Sequence, residues 1–539
     1  MMLRNGRSVA IVALAALFGA SPAPVAQPGA GSATAGPDAA YAALAKAYFD
    51  ENFRANPVGA TAAGVHAYDA QLGSYAAADY AAQAARDHRY LDRLAGLDPA
   101  AMSPRIRLDR RMLENALRDD LLLNATMQQW KHQPDGYVQT ASGGVFGLIS
   151  RAFAPPAVRM RAVVAREEQI PRLFAQARAN LTAVDKDTAA IAAEDAAGSV
   201  ELFTKTVPQA LAGVGDAATR ARFRRSTAAA VAATSAFANY LKTRWVAHPA
   251  GTYAIGAANY SARLKYEEGI DMPLTAISRS ARRRSRRRMP RWWRRQSRST
   301  RTQPPSRCSR AVQGASHVGS PGPLERVATK AFYNVTPVNP HDPPNVQAQY
   351  LESFNDFERP IVSAHEVYPG HFVNFAIDRH LPLTLSEKLL TATSFVEGWA
   401  HYDEQMMVDE GWGNGDPRVK IMQLREAIWR NARYVAGVKM HTQGMTVSQA
   451  TAFFRSHFLD PANARAEARR GTQDATYGYY TLGKLEILKL RDDYEKKLGS
   501  AYTLARFHHD LLQYGDPALP LLRPLLLGAD DDGKILPGE

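Results

Sequence analysis

Two histidines bracket a short glutamate-led run at His365-Glu366-Val-Tyr-Pro-Gly-His371. In an H-E-x-x-H arrangement, imidazoles four residues apart share a helix face and hold a zinc ion, with the glutamate beside the bound water. Here the histidines are six residues apart. On an unbroken helix that spacing gives about 120° of rotation and about 9 Å of rise, so the rings would diverge. Pro369 has no amide proton for the His365 carbonyl and clashes with it, so the helix must distort. Gly370 tolerates the dihedrals such a distortion needs. A bulged or broken turn there would return His371 to the face of His365.

A third ligand is offered 26 residues further on, at Glu397. The run Thr384-Leu-Ser-Glu387 has the pattern of a capping box and predicts a long helix from there to Glu410, with Gly411 as its stop. Within that helix Glu397, His401 and Glu404 fall on one face. A Glu–His–Glu stripe in an otherwise apolar helix is costly to bury unless it binds something. Its plain alternative is a solvated surface stripe.

The elements that must position these groups read as mainly α. From Tyr41 to about Asp271 the chain is rich in Ala, Leu and Arg at helical spacing, as in the run from Leu108 to Leu123. The segment 331–338 differs: its β-branched and aromatic residues, with Pro337 near the end, predict an edge strand. Helices return beyond it, and no internal repeat is present. The expected architecture is mainly α, with one small sheet. Its parts would be an N-terminal helical lobe over 41–270 and a metal-binding catalytic lobe over 325–539.

At 539 residues the chain is too long for a single compact core. Apolar content of 46% with 22% charged residues excludes collagen and a mainly disordered chain. The single cysteine, Cys308, excludes an intramolecular disulfide. A formal charge of +14 suggests a nucleic-acid binder, but fourteen arginines lie between Arg279 and Arg310, where there is no acid and no lysine. Without them the basic residues equal the 52 acidic ones, so the excess charge is local. The segment 271–324 is anomalous and lacks helical or strand periodicity. Its Arg, Ser, Pro and Trp bias reads as a GC-rich gene in the wrong frame, which predicts a disordered segment; the alternatives are a basic arm and an ordinary disordered insert.

Arg4 and Arg7 precede the apolar run Ser8 to Ala20, and small residues and prolines follow to about Ala26. That order predicts a secretory signal peptide over 1–26, followed by a flexible leader over 27–40. No cysteine follows the run, which argues against a lipid anchor. The expected location is exported, periplasmic or secreted, without stable membrane insertion after signal cleavage.

His365-Glu366-x-x-Pro-Gly-His371 followed by Glu397-Gly-Trp-Ala resembles the bacterial domain-of-unknown-function family 885. The resemblance extends to Asn56-Pro-Val-Gly-Ala-Thr-Ala-Ala-Gly-Val-His-Ala-Tyr-Asp69, to Met440-His441-Thr, and to the run from Arg470 to Lys484. It breaks down only in the arginine-rich stretch, where family members would continue as helix. Members are thought to be gluzincin-like zinc peptidases of mostly helical fold, so the resemblance implies a large helical two-lobed metallopeptidase-like fold with a small β element near the active-site cleft.

The resemblance implies that His365, His371 and Glu397 bind Zn²⁺ and leave one position for water. Glu366 would then be the general base. His401, with Glu404 on the same face, would orient a ligand from behind. Tyr480 and His441 would donate to the oxyanion of the scissile carbonyl; the alternatives are a packed tyrosine and a satisfied core histidine. The strand at 331–338 would pair with substrate backbone. The implied activity is zinc-dependent hydrolysis of peptides in the cell envelope, carboxypeptidase- or oligopeptidase-like, with no nucleic-acid partner. Two other classes stay open: an impaired enzyme or periplasmic binding protein, and a nucleic-acid binder using the arginine run.

Overall fold

A computed structural model describes residues 36–274, 316–335, 343–344, 347–348, 355–457 and 461–537. The segment read as a signal peptide, Cys308 and the arginines of 279–310 lie outside the described residues. The described chain is mainly helical, with a single two-stranded sheet. No described helix is long and apolar enough to cross a membrane.

The N-terminal helices form where capping and proline place them. Ser103 caps the Pro104–Leu121 helix by accepting from the Ile106 amide, and Pro104 takes the first-turn position whose missing amide costs nothing. Asp216 caps Ala217–Tyr240 in the same way, through the Thr219 amide. The first described helix starts at Pro37, inside the span 27–40 read as a leader, and residues 27–35 lie outside the described residues.

The buried residues of one hydrophobic cluster run from Leu72 to Trp245 in the N-terminal half, with Ala328 packed against them. Two others are shared between the halves of the chain. Leu108 and Met112 pack with Phe395, Trp399 and Tyr402. Tyr260 and Leu264 pack with Tyr434, Tyr479 and Leu482. The helices bearing the candidate site are therefore braced by Pro104–Leu121 and Gly256–Glu267.

The helix expected from Thr384 to Glu410 is two helices, Leu385–Leu389 and Thr393–Asp409. The capping box exists as expected: Thr384 Oγ1 accepts from the Glu387 amide, and Glu387 Oε2 accepts from the Thr384 amide at 2.8 Å. Distant groups then override the local pattern. Arg105 grips both Glu387 oxygens at 2.6 and 2.7 Å. Leu390 turns extended, and the Ala392 amide donates to the Asp516 carbonyl at 2.8 Å. The second helix still stops before Gly411.

The strand expected at 331–338 is observed as Phe332–Val335, antiparallel to Ser316–Gly319. Its partner lies inside the segment read as anomalous. Residues 316–324 are thus part of the fold, with the Leu324 amide donating to the Ala63 carbonyl at 2.8 Å.

Thr393–Asp409 packs along Tyr479–Leu498 at glycines. A Cβ on Gly483 would lie 1.6 Å from the Ser394 carbonyl oxygen, and one on Gly398 would lie 2.6 Å from Gly483 backbone. Backbone cannot yield as a side-chain tip can, so Gly483→Ala must part the two helices. A loss of about 3 kcal/mol or more is expected in denaturant unfolding. A midpoint equal to that of the parent chain would show that the contact does not bind the helices together.

Candidate metal centre

The Arg359–Glu366 helix ends where the sequence puts its break. Val367 and Tyr368 donate back to the Ser363 carbonyl at 2.9 and 3.1 Å, and the Tyr368–Pro369 peptide is cis. Gly370 then folds so tightly against the helix end that a Cβ would sit 1.8 Å from the His365 carbonyl oxygen. Only glycine fits this approach. A new helix starts at His371, and Trp399 fastens the turn by donating its indole N–H to the Pro369 carbonyl at 3.2 Å. The expected bulge or break is a full break.

This turn brings the two imidazoles to 4.9 Å between ring centroids, nearly perpendicular. Glu397 reaches them from the facing helix, with Oε2 3.7 Å from His365 Nε2 and 3.5 Å from His371 Nε2. One ligand atom from each residue lies within 4.8 Å of the others. Tetrahedral zinc with bonds of about 2.1 Å places its ligand atoms about 3.4 Å apart, so the set fits after small adjustments. Glu397 Oε2 is also buried with no hydrogen-bond partner among the described residues. An orphaned carboxylate oxygen between two imidazoles is what a cation would satisfy.

The electrostatics point the same way. Burial pushes the Glu397 carboxyl upward, but His365 and His371 outweigh it and hold it well below the usual carboxylate range. Burial opposes charge on His365, yet Glu397 and Glu404 lift its imidazole to about 9. A proton thus sits where a metal would bind, and metal binding must release it.

Behind the ligands lies a buried charged knot. Glu404, fully buried, accepts from His365 Nδ1 at 2.8 Å and contacts His401 Nδ1 at 3.0 Å. Arg430 approaches the same carboxylate at 3.0 Å. Burial raises Glu404, but Arg430, His401 and His365 bring it well below the ordinary range. His401 is driven to about 3 by burial and by Lys484, so it is neutral. A carboxylate on Nδ1 leaves Nε2 of His365 facing Glu397 and fixes the ring's orientation.

Glu366, beside His365, accepts at Oε2 from the Val318 amide at 3.0 Å. The strand that meets the site is therefore Ser316–Gly319. Phe332–Val335, the strand expected to pair with substrate backbone, is its antiparallel partner and an edge of the two-stranded sheet. Tyr480 stacks with the His365 ring at 6.3 Å between centroids, with the Arg430 and Arg433 guanidinium groups over its own ring. Burial, aided by Glu397, raises its phenol, so Tyr480 carries a proton to donate.

His441 is not brought to the others. It lies eleven residues beyond Arg430 on the Pro417–Thr442 helix, about 16 Å along the axis. Its Nε2 contacts the Gly471 carbonyl at 2.7 Å, and its ring sits near Tyr253 and Tyr260. That is the setting of a core histidine. Sequence reasoning missed Arg430, Val318 and the paired glycines Gly398 and Gly483. Arg430 follows no motif spacing, and Val318 acts through its backbone.

A family model described as "Bacterial protein of unknown function (DUF885)" matches residues 57–292 and 278–526. No curated protein matches the chain. Among solved structures, "a putative lipoprotein of unknown function" from Shewanella oneidensis superposes with a TM-score of 0.73 at 22% identity, covering 90% of this chain and 99% of its own. "The putative lipoprotein" from Colwellia psychrerythraea gives 0.69 at 15% identity, covering 92% and 100%. At these identities the likeness extends to the fold.

Proposed function

The chain belongs to the bacterial family DUF885, and from the geometry of its site we propose that it is a zinc-dependent peptide hydrolase of the cell envelope. The observation that carries this reading is the convergence of His365, His371 and Glu397, with an orphaned Glu397 oxygen among them. These three residues would hold the metal. Zinc there would supply a Lewis acid for the scissile carbonyl and lower the pKa of water towards neutrality.

The remaining work falls to side chains of this chain. Glu366 takes the proton of the attacking water and passes it to the departing amine. The Val318 amide holds the Glu366 carboxylate in place. Tyr480 offers its phenolic proton to the oxyanion that develops on the carbonyl. Glu404 keeps His365 oriented. The charged and apolar order of residues 1–26 supports export.

Purified protein should hydrolyse a mixed library of short peptides. A chelator should abolish cleavage, and one equivalent of zinc should restore it. A zinc-loaded protein that cleaves no peptide in such a library would overturn the reading.

A further inference from the structure

A second concave site lies at the head of the metal-bearing helix, with a volume of about 430 Å³. Asp119, Asp120 and Glu267 line it, together with the aromatic rings of Tyr48, Phe49 and Tyr266. Glu267 connects it to the metal centre. Its Oε1 accepts from the Thr393 hydroxyl at 3.0 Å, and Thr393 opens the helix that carries Glu397 one turn later, about 6 Å along the axis.

The cavity is short of positive charge. Arg263 lies 3.2 Å from Asp119 and also pairs with Glu267, so one guanidinium serves two carboxylates. Two cations act on Asp120: the same Arg263, and Arg86, which is hydrogen-bonded to Asp87. Asp119 Oδ1 is buried with no partner among the described residues. Burial, with Asp87 and Asp119 nearby, pushes the Asp120 carboxyl up to about 7. Asn115 also lines the cavity and is 5% exposed. The unpartnered Asp119 oxygen, beside undercompensated acids in the wall of a cavity, marks a place built for a polar guest.

An organic cation suits this lining better than a metal ion. Among the described residues, the group of three or more His, Cys, Asp or Glu close enough to hold a metal is the triad, not this set. Aromatic faces beside carboxylates suit an ammonium on an apolar stem, which gains both ion pairing and cation–π attraction. We propose that this cavity binds the ammonium group of a peptide, carried either by its free amino end or by a lysine side chain. The assignment names the substrate class of the proposed hydrolase and rests on that reading for its link to turnover.

Binding is measured apart from turnover, so the two can fail separately. Phenethylammonium and its neutral match 2-phenylethanol are titrated calorimetrically into the full-length protein. The amine should bind at one site, roughly tenfold or more tighter than the alcohol. Asp120→Asn should remove that preference, and Asn115→Leu, which fills the cavity without touching a charge, should weaken the amine. Two competitors identify the source: glycylglycinamide offers only an amino end, and Nα-acetyl-lysine amide only a side chain. Displacement by either supports the proposal. Equal binding of amine and alcohol, no amine binding, indifference to both folded variants, or displacement by neither competitor overturns it.

Discussion

Glu366→Gln should keep its zinc and lose two to four orders of magnitude in kcat, roughly the contribution of a positioned general base. The amide preserves the shape of the side chain and can still accept from the Val318 amide, so the strand Ser316–Gly319 should stay in place. It cannot accept a proton from water. Binding and chemistry therefore separate: metal content and peptide affinity hold while turnover falls. Steady-state kinetics on the zinc-loaded variant is the check. Turnover within a fewfold of the parent would remove Glu366 from the mechanism.

Glu404→Gln should be the most damaging of the conservative changes around the site. Glu404 is fully buried and meets His365, His401 and Arg430 together. An amide there leaves Arg430 with Glu426 as its one ion partner among the described residues, and breaking a buried pair costs about 3–5 kcal/mol. His365 would also lose the carboxylate that fixes its ring, a loss worth about 10–100-fold in metal affinity. The adjacent Asp403 is the control. It is as deeply buried, and burial, with Glu404 beside it, pushes its carboxyl well above the ordinary carboxylate range. Asp403→Asn should therefore change the unfolding midpoint and zinc affinity far less. Equal effects from both substitutions would mean that Glu404 acts through volume and not through charge.

The parts of the site written in short-range sequence were legible; those written in contacts between distant segments were not. Pro369 and Gly370 announced that the helix breaks between the histidines, because a missing amide and a missing Cβ act locally. The shared face of Glu397, His401 and Glu404 follows from helical period alone. In contrast, the break at Leu390 comes from Arg105, Glu268 and Asp516, residues more than a hundred positions away. Local capping chemistry was correct at Thr384, yet it could not show that the helix it opens ends after Leu389.

The same distinction explains the strand and His441. The β-branched run at Phe332–Val335 is visible to propensity, whereas Ser316–Gly319 is a strand because it has that partner. Its sequence, Ser-His-Val-Gly, carries little strand signal of its own. His441 was singled out by the resemblance, but the length of its helix carries it away from Arg430 and the candidate metal ligands. Gly398 and Gly483 stand in the motif runs, but only their close approach shows why a side chain is excluded there.

The most direct measurement is the metal content of the purified chain beside three variants, His365→Ala, His371→Ala and Glu397→Ala. All four are equilibrated with limiting zinc, freed of loose ions, and analysed for metal per folded chain. A catalytic site that keeps one position for water depends on all three protein ligands, so each loss should be severe. The expected result is about one zinc per parent chain and close to none in each folded variant. No zinc in the parent, or full occupancy in any of the three variants, would contradict the ligand set His365, His371 and Glu397.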